Sequence, residues 1–221
     1  MGNLWDKFCA DYQIFESSVP LLETSGQVVK TAAFGSNQRL LLRRSSQMDS
    51  LVIKEVNKVL LDFQCGTNEY EGLIYMMFWR SEQQVIPLYI GKSEKYGKQG
   101  TNLSANIAQV TFNKGKFCRW GDNYAYHIGD LSAATCPDHP IEKASPKYKR
   151  WAKRLFENVP STQPILKQPT YFWIHAWRTG STGAWKELGA TRLTSLEYQL
   201  IAIASQLFPD SLLNEEGVNR K

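Results

Sequence analysis

At Gly72 the hydrophobic period of this 221-residue chain changes, and that change sets the expected fold class. Before it, Leu51, Val52, Val56, Val59, Leu60 and Phe63 recur at helical spacing. After it come two short, nearly continuous apolar runs, residues 73–79 and 85–90, with five polar residues between them. Apolar runs of that length, bounded by turn residues, predict the two strands of a hairpin. A symmetric five-residue loop pairs Trp79 with Val85, and counting back sets Tyr75 opposite Tyr89. Directly opposed residues share a face, with Cβ atoms about 4.5–5.5 Å apart, so two phenols stand side by side. Pro87 cannot donate to a ladder, which puts the second strand at an edge or on a bulge.

Around this hairpin the other elements read as follows. Residues 1–68 form an accessory segment that is mostly helical and less regular over 20–50. A short helix is expected over 103–110, followed by structured loops over 113–145. Ser145 and Pro146 begin a helix, as N-cap and first residue. Tyr148, Trp151 and Leu155 give its apolar stripe, with Lys147, Arg150 and Arg154 on a neighbouring row. Residues 171–177 are a third strand. A last helix starts at Thr194, buries Leu196, Leu200, Ile203 and Leu207, and stops at Pro209. Glu197, three residues after Thr194, completes a capping box. The expected fold is α/β: a small antiparallel or mixed three-stranded sheet flanked by helices, with an N-terminal helical extension.

Charge is placed unevenly. Residues 1–68 hold seven Lys/Arg and seven Asp/Glu, so the whole net charge of +5 falls on 69–221. Residues 92–119 contain six basic residues and one acidic, and 143–154 contain six basic and none acidic. A polyanion is the first partner to expect, with the contacts placed on Lys147, Lys149, Arg150, Lys153 and Arg154. No apolar stretch reaches the roughly 18 residues of a membrane helix, so no membrane partner is expected. The start, Met1-Gly2-Asn3-Leu4-Trp5-Asp6, lacks the basic stretch and apolar run of a signal peptide. Gly2 suits myristoylation, but Asp6 stands where that motif requires Ser or Thr. The cysteines Cys9, Cys65, Cys118 and Cys136 are therefore expected as reduced thiols of a cytoplasmic protein.

Several familiar chemistries fail on spacing. Gly91-Lys92-Ser93 resembles the end of a phosphate-binding loop, but the glycine required five positions earlier is Ile86. None of the 21 Asp and Glu residues has Lys two positions later, a common nuclease pattern, and no three carboxylates cluster for a two-metal site. Cys118, His127, Cys136 and His139 offer zinc-ligating atoms, though only Cys136 and His139 have a workable spacing.

Tyr89-Ile90-Gly91-Lys92, preceded by Ile74-Tyr75 on the partner strand, resembles the GIY-YIG nuclease superfamily. Glu197-Tyr198-Gln199-Leu200-Ile201, followed by Pro209 and Leu213-Asn214, is similar to that family's metal-binding helix and trailing Leu-Asn. The resemblance spans residues 70–216. It departs in three places. Leu73 occupies the position of the family's first glycine, with Gly72 one place earlier. The gap from Pro209 to Asn214 is longer than usual. In Asn102-Leu103-Ser104-Ala105-Asn106, Asn106 stands where the family has a catalytic arginine.

The resemblance implies a metal-dependent DNA endonuclease occupying 69–221, possessing one Mg2+ or Mn2+ held by Glu197. It implies that Tyr75 takes a proton from the attacking water, and Lys92 is placed to make that phenol more acidic. Tyr89 and Asn214 would hold the phosphate or the metal ligand. Arg119 is the candidate to replace the arginine absent at Asn106, and His127 to orient water or protonate the leaving oxygen. A homodimer is compatible with this reading. The alternatives are a DNA-binding domain of this fold without catalysis, and a zinc-stabilised interaction module.

Overall fold

A computed structural model describes residues 2–82 and 84–217; Met1, Gln83 and residues 218–221, and the side chains of Gly2 and Asn3, lie outside the description. The helices are α1 (Gly2–Asp11), α2 (Ile14–Ser17), α3 (Ser46–Gln64), α4 (His127–Thr135), α5 (Pro146–Leu155) and α6 (Leu193–Leu207). The strands are β1 (Val19–Pro20), β2 (Thr24–Ser25), β3 (Val28–Val29), β4 (Thr31–Phe34), β5 (Arg39–Leu42), β6 (Tyr70–Ser81), β7 (Gln84–Glu94) and β8 (Thr170–Arg178). The main sheet is four-stranded, not three-stranded, in the order β1-β8-β6-β7. Its extra member is a two-residue strand from the segment expected to be helical. Two small antiparallel hairpins, β2–β3 and β4–β5, account for the irregular stretch before residue 50.

The chain divides into two compact units, each built from separate stretches. The first takes the residues up to Val19, Leu51–Ala108 and those from Tyr171 on; the second takes Pro20–Ser50 and Gln109–Thr170.

In the first unit, strand alternation sends Ile74, Met76 and Phe78 to one face of β6. There they share a buried cluster with Ile90 of β7, Trp5 and Phe8 of α1, and Leu193, Leu196, Leu200 and Ile203 of α6. Each such side chain contributes about 1.5–3 kcal/mol when fully buried, so α1 belongs to the core of this unit. Asp62 of α3 ties down the start of β6. Although burial opposes it, hydrogen bonds from Lys95, Thr67 and the Glu69 and Tyr70 amides hold its carboxyl well below the usual range.

The expected helix over 103–110 does not form. Its residues make successive turns, with Ser104 N–H on Lys95 O at 2.8 Å and Ile107 N–H on Ser104 O at 2.9 Å. Ser104, Ile107 and Val110 are buried three apart, a spacing that resembles a helical face, but Asn and Ser at the start favour turns over helix.

In the second unit α4 packs on β5 and α5. Ser132 Oγ of α4 accepts the Leu42 amide at 3.0 Å. Helix α5 starts as the sequence predicts, with Ser145 as N-cap and Pro146 first, and buries Tyr148, Trp151 and Leu155. Among the described residues no helix is long and apolar enough to cross a membrane.

Candidate active site

The β6–β7 turn is tighter than a five-residue loop. Ser81 pairs with Gln84 and Trp79 with Ile86, one position away from the symmetric register. A one-residue slip alone would move Tyr89 to the opposite face from Tyr75. The register shifts again between Met77 and Phe78, where Met77 pairs with Tyr89 and Phe78 with Pro87, leaving Leu88 as the extra residue of a bulge. The second shift restores the face. Tyr75 therefore pairs with Gly91 and Tyr89 with Met77, so the two phenols are diagonal neighbours rather than opposed, with ring centroids 6.5 Å apart. Both alternatives that Pro87 raised hold: β7 is an edge strand and is bulged at this point.

Tyr75 is 2% exposed and stacks on Phe172 of β8. Its ring lies across Gly91: a Cβ there would sit 2.6 Å from Tyr75 Cε2 and 2.9 Å from the hydroxyl oxygen. Lacking that atom, Gly91 lets the phenol cross β7 and donate to Lys92 O at 3.2 Å. Gly72 serves a second close approach, where a Cβ would meet Ser93 O at 2.2 Å and φ is +146°.

Glu197 approaches the same residue from α6, where the Lys92 ammonium and backbone both lower its carboxyl pKa. It is free to do so because the capping box does not form. The N-cap is Arg192, without a side-chain cap, and the Leu193 amide is taken by Glu71 of β6 at 2.9 Å. Thr194 donates instead to Glu94 at 3.1 Å. Burial raises the Glu197 pKa, Lys92 lowers it, and Glu94 and Glu216 raise it further; the net direction is upward. Lys92 Nζ pairs with Glu94. Alternation places the Lys92 side chain with Ile74, on the opposite face from Tyr75. Its charge therefore acts on Glu197, and the expected role of acidifying the phenol is not supported by its position.

Asn214 is a positioning residue. Its Oδ1 accepts Ile90 N–H at 3.0 Å and its Nδ2 donates to Ile90 O at 2.8 Å, while Leu213 N–H reaches Leu88 O at 2.7 Å. The C-terminal segment thus satisfies the outer edge of β7 and fixes the strand that carries Tyr89 and Gly91.

A single carboxylate suits Mg2+, which keeps several waters and completes its octahedron with phosphate oxygens. The donor chemistry here fits. Glu94 and Glu216 both raise the Glu197 pKa against the lowering by Lys92, whose ammonium is already paired with Glu94, so a divalent cation at Glu197 would offset negative charge. Among the described residues no group of three or more His, Cys, Asp or Glu side chains is arranged to hold a metal, so neither the four expected zinc-ligating residues nor the carboxylates near Glu197 form such a cluster. His139 illustrates why: its Nε2 donates to Leu40 O at 2.8 Å and its Nδ1 accepts the Tyr124 hydroxyl at 2.9 Å.

The remaining expected residues lie in the second unit. His127 is 2% exposed, enclosed by Trp120, Trp151 and Tyr148, with Nδ1 2.8 Å from the Tyr148 hydroxyl. Burial first, then the charges of Lys147 and Arg119, hold its pKa well below the usual value. A neutral, enclosed imidazole does not protonate a leaving group, so that role is withdrawn. Arg119 is exposed and ends three consecutive non-glycine residues with positive φ, Phe117, Cys118 and Arg119. Its guanidinium lies 5.8 Å over the Tyr126 ring, and among the described residues it forms no ion pair with Asp122 or Asp130. On α5, Lys149, Arg150 and Lys153 are exposed, whereas Lys147 lies over the Tyr148 and Trp151 rings at 5.4 Å.

Glu71 and Glu94 escaped the sequence reading. Glu94 carries a signal, since it follows Lys92 on the same strand face. Glu71 has none, because its partner lies 122 residues away. The chain matches no family model, no curated protein and no solved structure. Its function is therefore argued from the geometry of these residues.

Proposed function

We propose that the chain is a metal-dependent DNA endonuclease whose centre is the Lys92 edge of β7, where Tyr75 and Glu197 meet. The observation that carries this reading is their convergence: a phenol from the hairpin bonds the Lys92 carbonyl, and a carboxylate from α6 lies within the influence of the Lys92 backbone and ammonium. The motif resemblance to the GIY-YIG superfamily gives that convergence a chemical meaning. Glu197 would hold Mg2+ or Mn2+, which when bound neutralises charge building on the phosphate oxygens. With its proton on the Lys92 carbonyl, the Tyr75 oxygen presents lone pairs that orient the attacking water. That water would give its proton to bulk solvent as its oxygen bonds phosphorus and the phosphorus–oxygen bond to the leaving group breaks, and the leaving oxygen would be protonated from solvent. Tyr89, on the same face, contributes a second hydroxyl toward the phosphate. Incubation with DNA and Mg2+ tests the reading, and EDTA should stop cleavage.

The charge state of Glu197 gives a pH test. A protonated carboxyl cannot hold a cation, and burial raises this one above its ordinary value, which for Glu is about 4.3. Cleavage should therefore fall on acidification at a pH above the ordinary carboxylate range. Because proton and cation compete, raising the metal concentration should move that limb to lower pH. A limb indifferent to metal concentration would assign it to another group.

Helix α5 supplies the sequence-independent contact. Replacing Lys149, Arg150 and Lys153 with Ala should weaken binding to all DNA sequences alike. The slope of log affinity against log salt should shrink by roughly 2–3, about 0.9 for each phosphate that is no longer neutralised. Unchanged affinity at low salt would make these side chains a solvated face.

A further inference from the structure

Beside the candidate centre lies a cleft of ≈ 650 Å³, lined among others by Tyr70, Tyr96, Lys98, Arg192, Glu71 and Glu94. That size falls within the range of small-ligand pockets. Glu94 belongs to both places, since it lines the cleft and pairs with Lys92. An occupant of the cleft is therefore a neighbour of the reacting phosphate.

The acceptors of the cleft are already engaged. Glu71 accepts the Leu193 amide and pairs with Arg192 at 2.9 Å. Glu94 accepts from Thr194 and pairs with Lys92. Asn68 Oδ1 accepts the Tyr96 hydroxyl at 3.1 Å. Each carboxylate of the cleft thus has a basic partner, Glu71 in Arg192 and Glu94 in Lys92. What the cleft offers a ligand is aromatic surface and two cations, and Arg192 stays 82% exposed despite its bond to Glu71. Both rings are braced: the Arg178 guanidinium lies 5.5 Å over Tyr70, and Phe63 meets Tyr96 edge-on at 6.0 Å. Braced aromatic surface with cations, and few uncommitted groups to read base edges, is the chemistry that binds single-stranded nucleic acid. A paired base in a duplex cannot enter a cleft, whereas an unpaired one can.

Building on the nuclease reading, we infer that this cleft receives an unpaired nucleotide next to the scissile phosphate, so that the protein cuts DNA where a nucleotide has left the stack. The base lies against Tyr70 and Tyr96, and its phosphate against Lys98 and Arg192. Stacking is tolerant of base identity, so the preference is for structure rather than sequence.

The test uses the full chain and two oligonucleotides of one sequence, a continuous duplex and the same duplex with a single-stranded flap. The flap carries 2-aminopurine at its first unpaired position. Cleavage is measured in Mg2+, and fluorescence on binding in EDTA. The flap should be cut at least about tenfold faster than the duplex, and 2-aminopurine should be quenched by stacking. Tyr70→Leu and Tyr96→Leu should each lower the flap preference by about tenfold and weaken the quenching, with duplex cleavage within about twofold of wild type. Lys98→Ala, at an exposed position, should weaken flap binding alone. Equal rates on both substrates with unchanged fluorescence would overturn the inference, as would tyrosine variants that slow both substrates equally. Quenching without cleavage of any substrate would uphold the nucleotide site and sink the nuclease reading. Cleavage without preference or quenching would do the reverse.

Discussion

Gly91→Ala is expected to reduce cleavage by about 100-fold or more, although the glycine itself does no chemistry. The added Cβ would fall 2.6 Å from the Tyr75 ring, closer than such atoms approach. The ring is packed against Phe172 and cannot yield freely. Either the phenol leaves the Lys92 carbonyl or β7 moves away from β6. A displacement near 1 Å at a reacting group costs on the order of 100-fold in rate, and overpacking a buried site costs about 1–3 kcal/mol of stability. The cause can be isolated by a double-mutant cycle. In a Tyr75→Leu background the ring is gone, so Gly91→Ala should destabilise much less in urea unfolding. Equal destabilisation in both backgrounds would show that the ring and the glycine are not coupled.

Glu197→Gln is expected to abolish metal-supported cleavage, again by about 100-fold or more, with little change in unfolding temperature. Gln retains the size and polarity of the side chain but not the charge that holds a cation. Stability should survive because the start of α6 is capped by Glu71 at Leu193 rather than by Glu197. Glu71→Ala should show the opposite pattern. It exposes the helix amide and frees Arg192, lowering stability by about 0.5–2 kcal/mol, while the Glu197 carboxylate remains in place. These two variants separate the carboxylate that holds the helix from the one proposed to hold the metal.

The fold was legible where apolar period and length speak together. Residues 73–79 and 85–90 became β6 and β7, 171–177 became most of β8, and the stripe from Leu196 to Leu207 became α6. The register was not legible, because it depends on a tight turn and a bulge at Leu88 whose two one-residue shifts compensate. Tyr75 and Tyr89 came out on one face in the sequence count only because the parity was restored. Strands β1 to β5 were missed, since runs of two to four residues are too short to show alternation. The capping box at Thr194 and Glu197 was a sound local reading that tertiary contacts overrode: Glu71 took the helix amide and Glu94 took the threonine. The same displacement turned Glu197 toward Lys92. His127 looked available because residues 113–145, rich in Gly, Asp, Asn and Pro, read as loops. Its enclosure comes from Trp120, Tyr148 and Trp151, two of them in a helix that begins nineteen residues later.

The central claim is that Tyr75 and Glu197 form one phosphodiester-cleaving centre at Lys92. Supercoiled plasmid incubated with Mg2+ tests it most directly, with wild type, Tyr75→Phe and Glu197→Gln compared at equal, verified folding. The predicted result is nicked or linear product from wild type, none in EDTA, and none from either variant. Cleavage by folded Glu197→Gln at the wild-type rate, or by all three proteins in EDTA, would contradict it.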